Sequence, residues 1–220
     1  MFQFTLFQFA DLATVRRRET LERKIEKVLS AKEDSFPSFL HYCLIRDRVK
    51  AYLSCGLDAS ILEAALAYLA SYSSPNAFMR RTVANCQLAI QQIQGMQMPS
   101  FAGITFSPGE SVELPIGGIL VKVTTEATLS KVDANGIEHI GTVKTKLKKG
   151  YYPHESAEMA ACLLAKAMVV AHPDAIVDPL FCLCFDPFRQ QFVPALNMDR
   201  NMARAEEIAR MIASRGDLAA

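Results

Sequence analysis

The stretch from Gly117 to Gly150, GGILVKVTTEATLSKVDANGIEHIGTVKTKLKKG, most constrains what this chain can fold into. Its apolar residues alternate with polar ones, the period at which side chains leave a pleated strand on opposite faces. Asp133-Ala134-Asn135-Gly136 interrupts the alternation, and Asn135 and Gly136 readily supply the positive φ angles of a tight turn. Two long strands joined at that turn are predicted, with Gly150 ending the second. The chain has 220 residues, half of them apolar, enough to bury a sizeable core around such a hairpin.

What precedes the hairpin is helical in pattern. Asp11 to Lys32 carries Leu12, Val15, Leu21, Ile25, Val28 and Leu29 near three-four spacing, with Arg16, Arg17 and Arg18 among the charged residues between them. Successive helical residues diverge by about 100°, so these arginines do not form a compact phosphate clamp. Further helices are predicted from Pro37 to Leu53, from the N-cap Asp58, and from Ser74-Pro75 to Gln94. The opening phenylalanines Phe2, Phe4, Phe7 and Phe9 read as a strand or arm packed on the body. Gly95, Pro99, Gly103 and Pro108 break the helical pattern, marking a boundary between a helical region over 1–94 and an α/β core over 95–220. The two are expected to pack as one composite domain.

After a short strand at Val112 to Leu114 and the Pro115-Ile116-Gly117-Gly118 turn comes the hairpin. A largely buried helix from His154 to Ala171 follows, then a strand at Ile176 to Phe185, a short edge at Gln191 to Pro194, and a last helix capped at Asn197 or Asp199. The fold class is therefore α/β (α+β).

A net charge of +1 leaves no global attraction to nucleic acid or membrane, so such a partner must meet a local patch. The six cysteines lie in apolar runs without a CxxC pair and read as reduced core thiols. The N-terminal residues lack a basic leader and a cleavage site, and no apolar run approaches the roughly 18 residues of a membrane span. A cytoplasmic protein without a membrane partner is expected. The four histidines share no metal-ligand spacing.

Val123-Thr124-Thr125-Glu126 on one strand and Ile140-Gly141-Thr142-Val143-Lys144 on the next carry the chemistry. With the element order over 95–214, they resemble the PD-(D/E)XK, or restriction-endonuclease-like, superfamily and its αβββαβ core. The resemblance implies metal-assisted phosphodiester hydrolysis, with acids holding Mg²⁺ or Mn²⁺ and a lysine orienting the attacking water. It makes Glu126 the metal ligand and Lys144 the lysine, while Thr142 stands where the second acid belongs. Glu158 on the following helix is the candidate migrated acid and second metal ligand, with Glu155 one turn nearer the sheet. With Thr142 in the acid's place, the first reading is a nuclease-like protein without a complete metal site that binds nucleic acid or a protein partner. Beside it stand an active metal-dependent nuclease using Glu126, Lys144 and Glu158, and a structural module docking through its helical half.

Lys122, Lys146, Lys148 and Lys149 add positive charge to the hairpin. Lys144, Lys146 and Lys148 alternate and share one strand face, a row suited to phosphates, and Tyr151 and Tyr152 offer surface for base stacking. The same lysines equally suit protection of a sheet edge. Glu126 and Lys144 could likewise form an ordinary cross-strand ion pair on an exposed face.

Overall fold

A computed structural model describes residues 2–30, 37–74, 76–96, 103–146 and 152–216, with side chains described except over 29–30, 37–44 and 215–216. The elements run β1 (Gln3–Thr5), α1 (Leu6–Ala13), α2 (Arg18–Ser30), α3 (Pro37–Ser54), α4 (Ala59–Ser71), α5 (Ala77–Gln94), β2 (Thr105–Pro108), β3 (Ser111–Ile116), β4 (Ile119–Thr124), β5 (Ala127–Val132), β6 (Glu138–Thr145), α6 (His154–Ala171), β7 (Ile176–Asp186), β8 (Gln191–Pro194) and α7 (Met198–Gly216). The chain is a mixed α/β protein. Among the described residues, no helix is long and apolar enough to cross a membrane.

The strands form two sheets. One has the order β1-β4-β3, the other β2-β5-β6-β7-β8, and within the second only β6 and β7 are parallel, joined through α6. The long first strand of the predicted hairpin is thus two strands in two sheets, β4 and β5, separated at Thr125-Glu126. β2, which falls inside the predicted boundary, and β3 are separated likewise at Gly109-Glu110. The pairing register nevertheless runs unbroken from Ile116↔Ile119, through Ser111↔Thr124 and Pro108↔Ala127, to Thr105↔Ser130. One long antiparallel ribbon therefore bends at its middle and feeds both sheets.

The bend has a local cause. A Cβ on Gly109 would lie 2.5 Å from the Thr125 carbonyl oxygen, so only glycine lets the two backbones approach this closely. Thr125 Oγ1 accepts the Glu110 N–H at 2.9 Å and donates to the Glu110 carbonyl at 3.2 Å, pinning the crossing. At the closed end of the ribbon, Gly117 and Gly118 both have positive φ, 49° and 90°, as a two-residue turn requires. In the β5–β6 loop only Gly136 has positive φ, while Asp133 closes the turn by accepting the Asn135 and Ile137 N–H groups at 2.8 and 2.9 Å. Asn135 thus needs no left-handed conformation.

Two apolar cores lie on opposite sides of the larger sheet. Leu129, Val143, Leu183 and Phe185 pack with residues of α3, α4 and α5, whereas Cys182 and Cys184 face the core built from α1, α2, α6, α7 and the smaller sheet. The helical region is therefore divided: β1, α1 and α2 join the C-terminal core, and α3 to α5 cover the other face. The predicted helix over Asp11 to Lys32 is interrupted because α1 ends at Ala13 and Thr14 Oγ1 turns back to the Ala10 carbonyl. Phe4 and Phe9 are fully buried, as core packing of the opening segment requires. Asp58 caps α4 through the Ser60 N–H, and Asn76, one residue past Pro75, caps α5 through two N–H groups.

Candidate functional site

β6 is a central strand of the larger sheet, and its residues from Ile140 to Thr145 are buried on both faces. Thr142 pairs with Cys182 and Lys144 with Cys184, placing these residues toward α6. β5 begins at Ala127, and β6 extends beyond it, so the residue just before β5 meets Lys144 and Thr145 past the end of the paired region. That residue is Glu126. Its Oε1 accepts from Lys144 Nζ at 2.9 Å and its Oε2 from the Thr145 N–H at 2.5 Å, so the carboxylate replaces the missing strand partner.

The pair is internal. Glu126 is 0 % exposed and Lys144 8 %. Burial pushes the Glu126 carboxyl above its usual range, outweighing the opposing pull of Lys144, the Thr145 N–H and Arg46. A second ion pair lies one strand step along: Lys146 Nζ is 3.6 Å from Asp186 Oδ2 and 4.9 Å from the centre of the Tyr152 ring, with Lys146 and Asp186 both buried. Cys184 feels both pairs, but burial dominates and pushes its thiol far above the ordinary range. Cys182 is pushed up to about 12 for the same reason. These are core thiols, as are Cys86 and Cys162, whereas Cys55 is exposed and departs from that expectation.

Several expected site features are absent or displaced. Thr142, at the position of the motif acid, is buried and donates its hydroxyl proton to the Ala127 carbonyl at 2.7 Å. Glu158 bonds Asn197 and Asn201 at 2.9 and 3.1 Å and lines a cleft between α1, α6 and α7 whose lining does not include Glu126. Glu155 bonds Arg16 at the surface. Lys144 and Lys146 do not belong to an exposed phosphate row or protect an edge, because a central strand buries them against carboxylates. Lys122 is exposed on β4, opposite Glu113. Lys148, Lys149 and Tyr151 lie outside the described residues.

Asp186 was not among the sequence candidates. Its position at the end of the apolar run Ile176 to Phe185 reads locally as a turn residue, and it does accept the Phe188 N–H at 3.0 Å in that turn. Only the parallel pairing of β6 with β7 brings its other oxygen to Lys146.

The donor set does not fit a divalent cation. Mg²⁺ and Mn²⁺ sites of this kind need carboxylate oxygens available to the ion, whereas both Glu126 oxygens are engaged and the nearby Asp186 carboxylate is paired with Lys146. Among the described residues, no group of three or more His, Cys, Asp or Glu side chains converges to hold a metal. Comparison with protein-family models, with curated proteins and with solved structures returned no match.

Proposed function

We propose that this protein is a nuclease-like binding module whose charged centre serves structure rather than metal-dependent catalysis, and that it acts by contact with a protein partner. The ribbon, β6, α6 and β7, with β6 and β7 parallel, support the restriction-endonuclease-like reading of the fold. The proximity of Glu126 and Lys144 supports the same reading. Against hydrolysis stands one observation above the others: the Glu126 carboxylate is closed off, with one oxygen on Lys144 and the other on the Thr145 N–H. Each oxygen is held by an internal donor and the side chain is 0 % exposed, so neither oxygen is presented to solvent to hold an ion or position water.

A protein partner is favoured over nucleic acid because two of the three lysines expected to face phosphates are internal and neutralised. The cytoplasm is the compartment that suits buried free thiols such as Cys86, Cys162, Cys182 and Cys184.

Single- and double-stranded DNA and RNA should remain intact with the purified chain in Mg²⁺ or Mn²⁺. Binding to the same substrates, followed by fluorescence anisotropy, should show no steep fall with salt, the signature of displaced counterions. Metal-dependent cleavage that disappears in folded Lys144→Ala and Glu126→Ala variants would instead establish an active nuclease.

A further inference from the structure

A cleft of about 840 Å³ opens between the end of α1 and the first turns of α6 and α7, within the size range of small-molecule sites. None of its lining residues belongs to the Glu126 centre. Three arginines and three glutamates line it, and four of these six charges are already matched. Arg16 bonds Glu155, and Arg204 bonds Glu207 at 2.7 Å and the Val15 carbonyl at 2.9 Å.

The remaining two charges are Glu158 and Arg200. Glu158 Oε1 accepts from the amides of Asn197 and Asn201, which orient the carboxylate without cancelling its charge. Asn201 is itself held by the Leu196 carbonyl at 3.0 Å. The second oxygen of Glu158 accepts no hydrogen bond from the described residues, and Arg200 has no hydrogen-bonding or ionic partner among them. The cleft thus presents one oriented negative charge and one unmatched positive charge, with Met159, Ala13 and Ala203 supplying apolar surface.

We propose that this cleft binds a small zwitterion of about dipeptide size, its ammonium group on Glu158 and its carboxylate or phosphate on Arg200. A guanidinium offers a planar fork matched to either anion. A carboxylate already fixed by two amides loses little freedom on binding a cation. A ligand carrying only an anion would meet Glu158 unpaired, and one carrying only a cation would leave Arg200 unpaired, so both ends are needed for selectivity.

The test is calorimetric titration of the whole chain with a panel of free dipeptides and phosphoethanolamine, beside N-acetylated dipeptides and dipeptide amides. At least one zwitterion should bind, and blocking either end should weaken it by about tenfold or more. Glu158→Gln, which keeps the oxygen that Asn197 and Asn201 hold, and Arg200→Gln should each produce a comparable loss while leaving the melting temperature of the free protein unchanged. Absence of binding by every zwitterion, equal binding of blocked and free peptides, or binding indifferent to both substitutions would each overturn the assignment.

Discussion

The Glu126 carboxyl has a higher pKa in the folded chain than in the unfolded one, because burial outweighs Lys144, the Thr145 N–H and Arg46. Its unfavourable contribution to stability is absent below the unfolded value of about 4.3. It grows as pH rises from there to the raised folded value and is constant above it. Lys144→Met removes the main opposing cation and should lower stability by about 3 kcal/mol at pH 7. In urea unfolding, that loss should shrink as pH falls toward about 4, where the carboxyl is increasingly protonated in both states. Adding Glu126→Gln should restore most of the stability, since a neutral amide no longer requires a buried counter-charge. A loss independent of pH, or a double variant no better than the single, would remove the carboxylate as its source. Strand position and the motif resemblance pointed to Glu126 and Lys144 as partners. They could not distinguish an open catalytic pair from a closed structural one, because that depends on which backbone N–H groups and which neighbouring strand surround them.

At the scale of the element, the long ribbon explains why the break between β4 and β5 is invisible to periodicity. Ile119, Val121 and Val123 are buried, and the same odd-numbered phase continues through Thr125, Ala127 and Leu129. The buried face never changes phase, yet it turns from the core around α6 to the core around α3 to α5 at the bend. Gly109→Ala places a methyl group against the Thr125 backbone and should destabilise the chain by about 2 kcal/mol or more by forcing the ribbon apart. Gly103→Ala provides the contrast. Gly103 has positive φ but nothing within 4 Å of its Cβ position, so its conformational penalty should be about 1 kcal/mol. Equal effects of the two substitutions in thermal unfolding would mean that the close approach at 109 does not hold the bend.

For the molecule as a whole, the larger sheet is common to both cores. Val143, Leu183 and Phe185 bury one of its faces and Ile140, Cys182 and Cys184 the other. Unfolding the helices α3 to α5 would expose a face of the sheet that α6 needs intact. We therefore expect the chain to fold as one cooperative unit, with the slowest amides of α5 and α6 exchanging through the same global opening. Hydrogen exchange at increasing urea tests this. Early, separate exchange of α5 would make the helices an independent unit.

The sequence alone was enough to place most helices and the 133–136 turn. These follow from periodicity, caps and residue chemistry within a few neighbours of each position, as with His154 to Ala171 and the Asp58 cap. It did not disclose the division of the ribbon between two sheets, the burial of Lys144 and Lys146, the pairing of Asp186 with Lys146, or the hold of Asn197 and Asn201 on Glu158. Each of those depends on strand order and on which helix covers which face. Such relations join residues tens of positions apart, and no local pattern encodes them; only the packed chain decides whether a charge faces water, a counter-ion or a cleft.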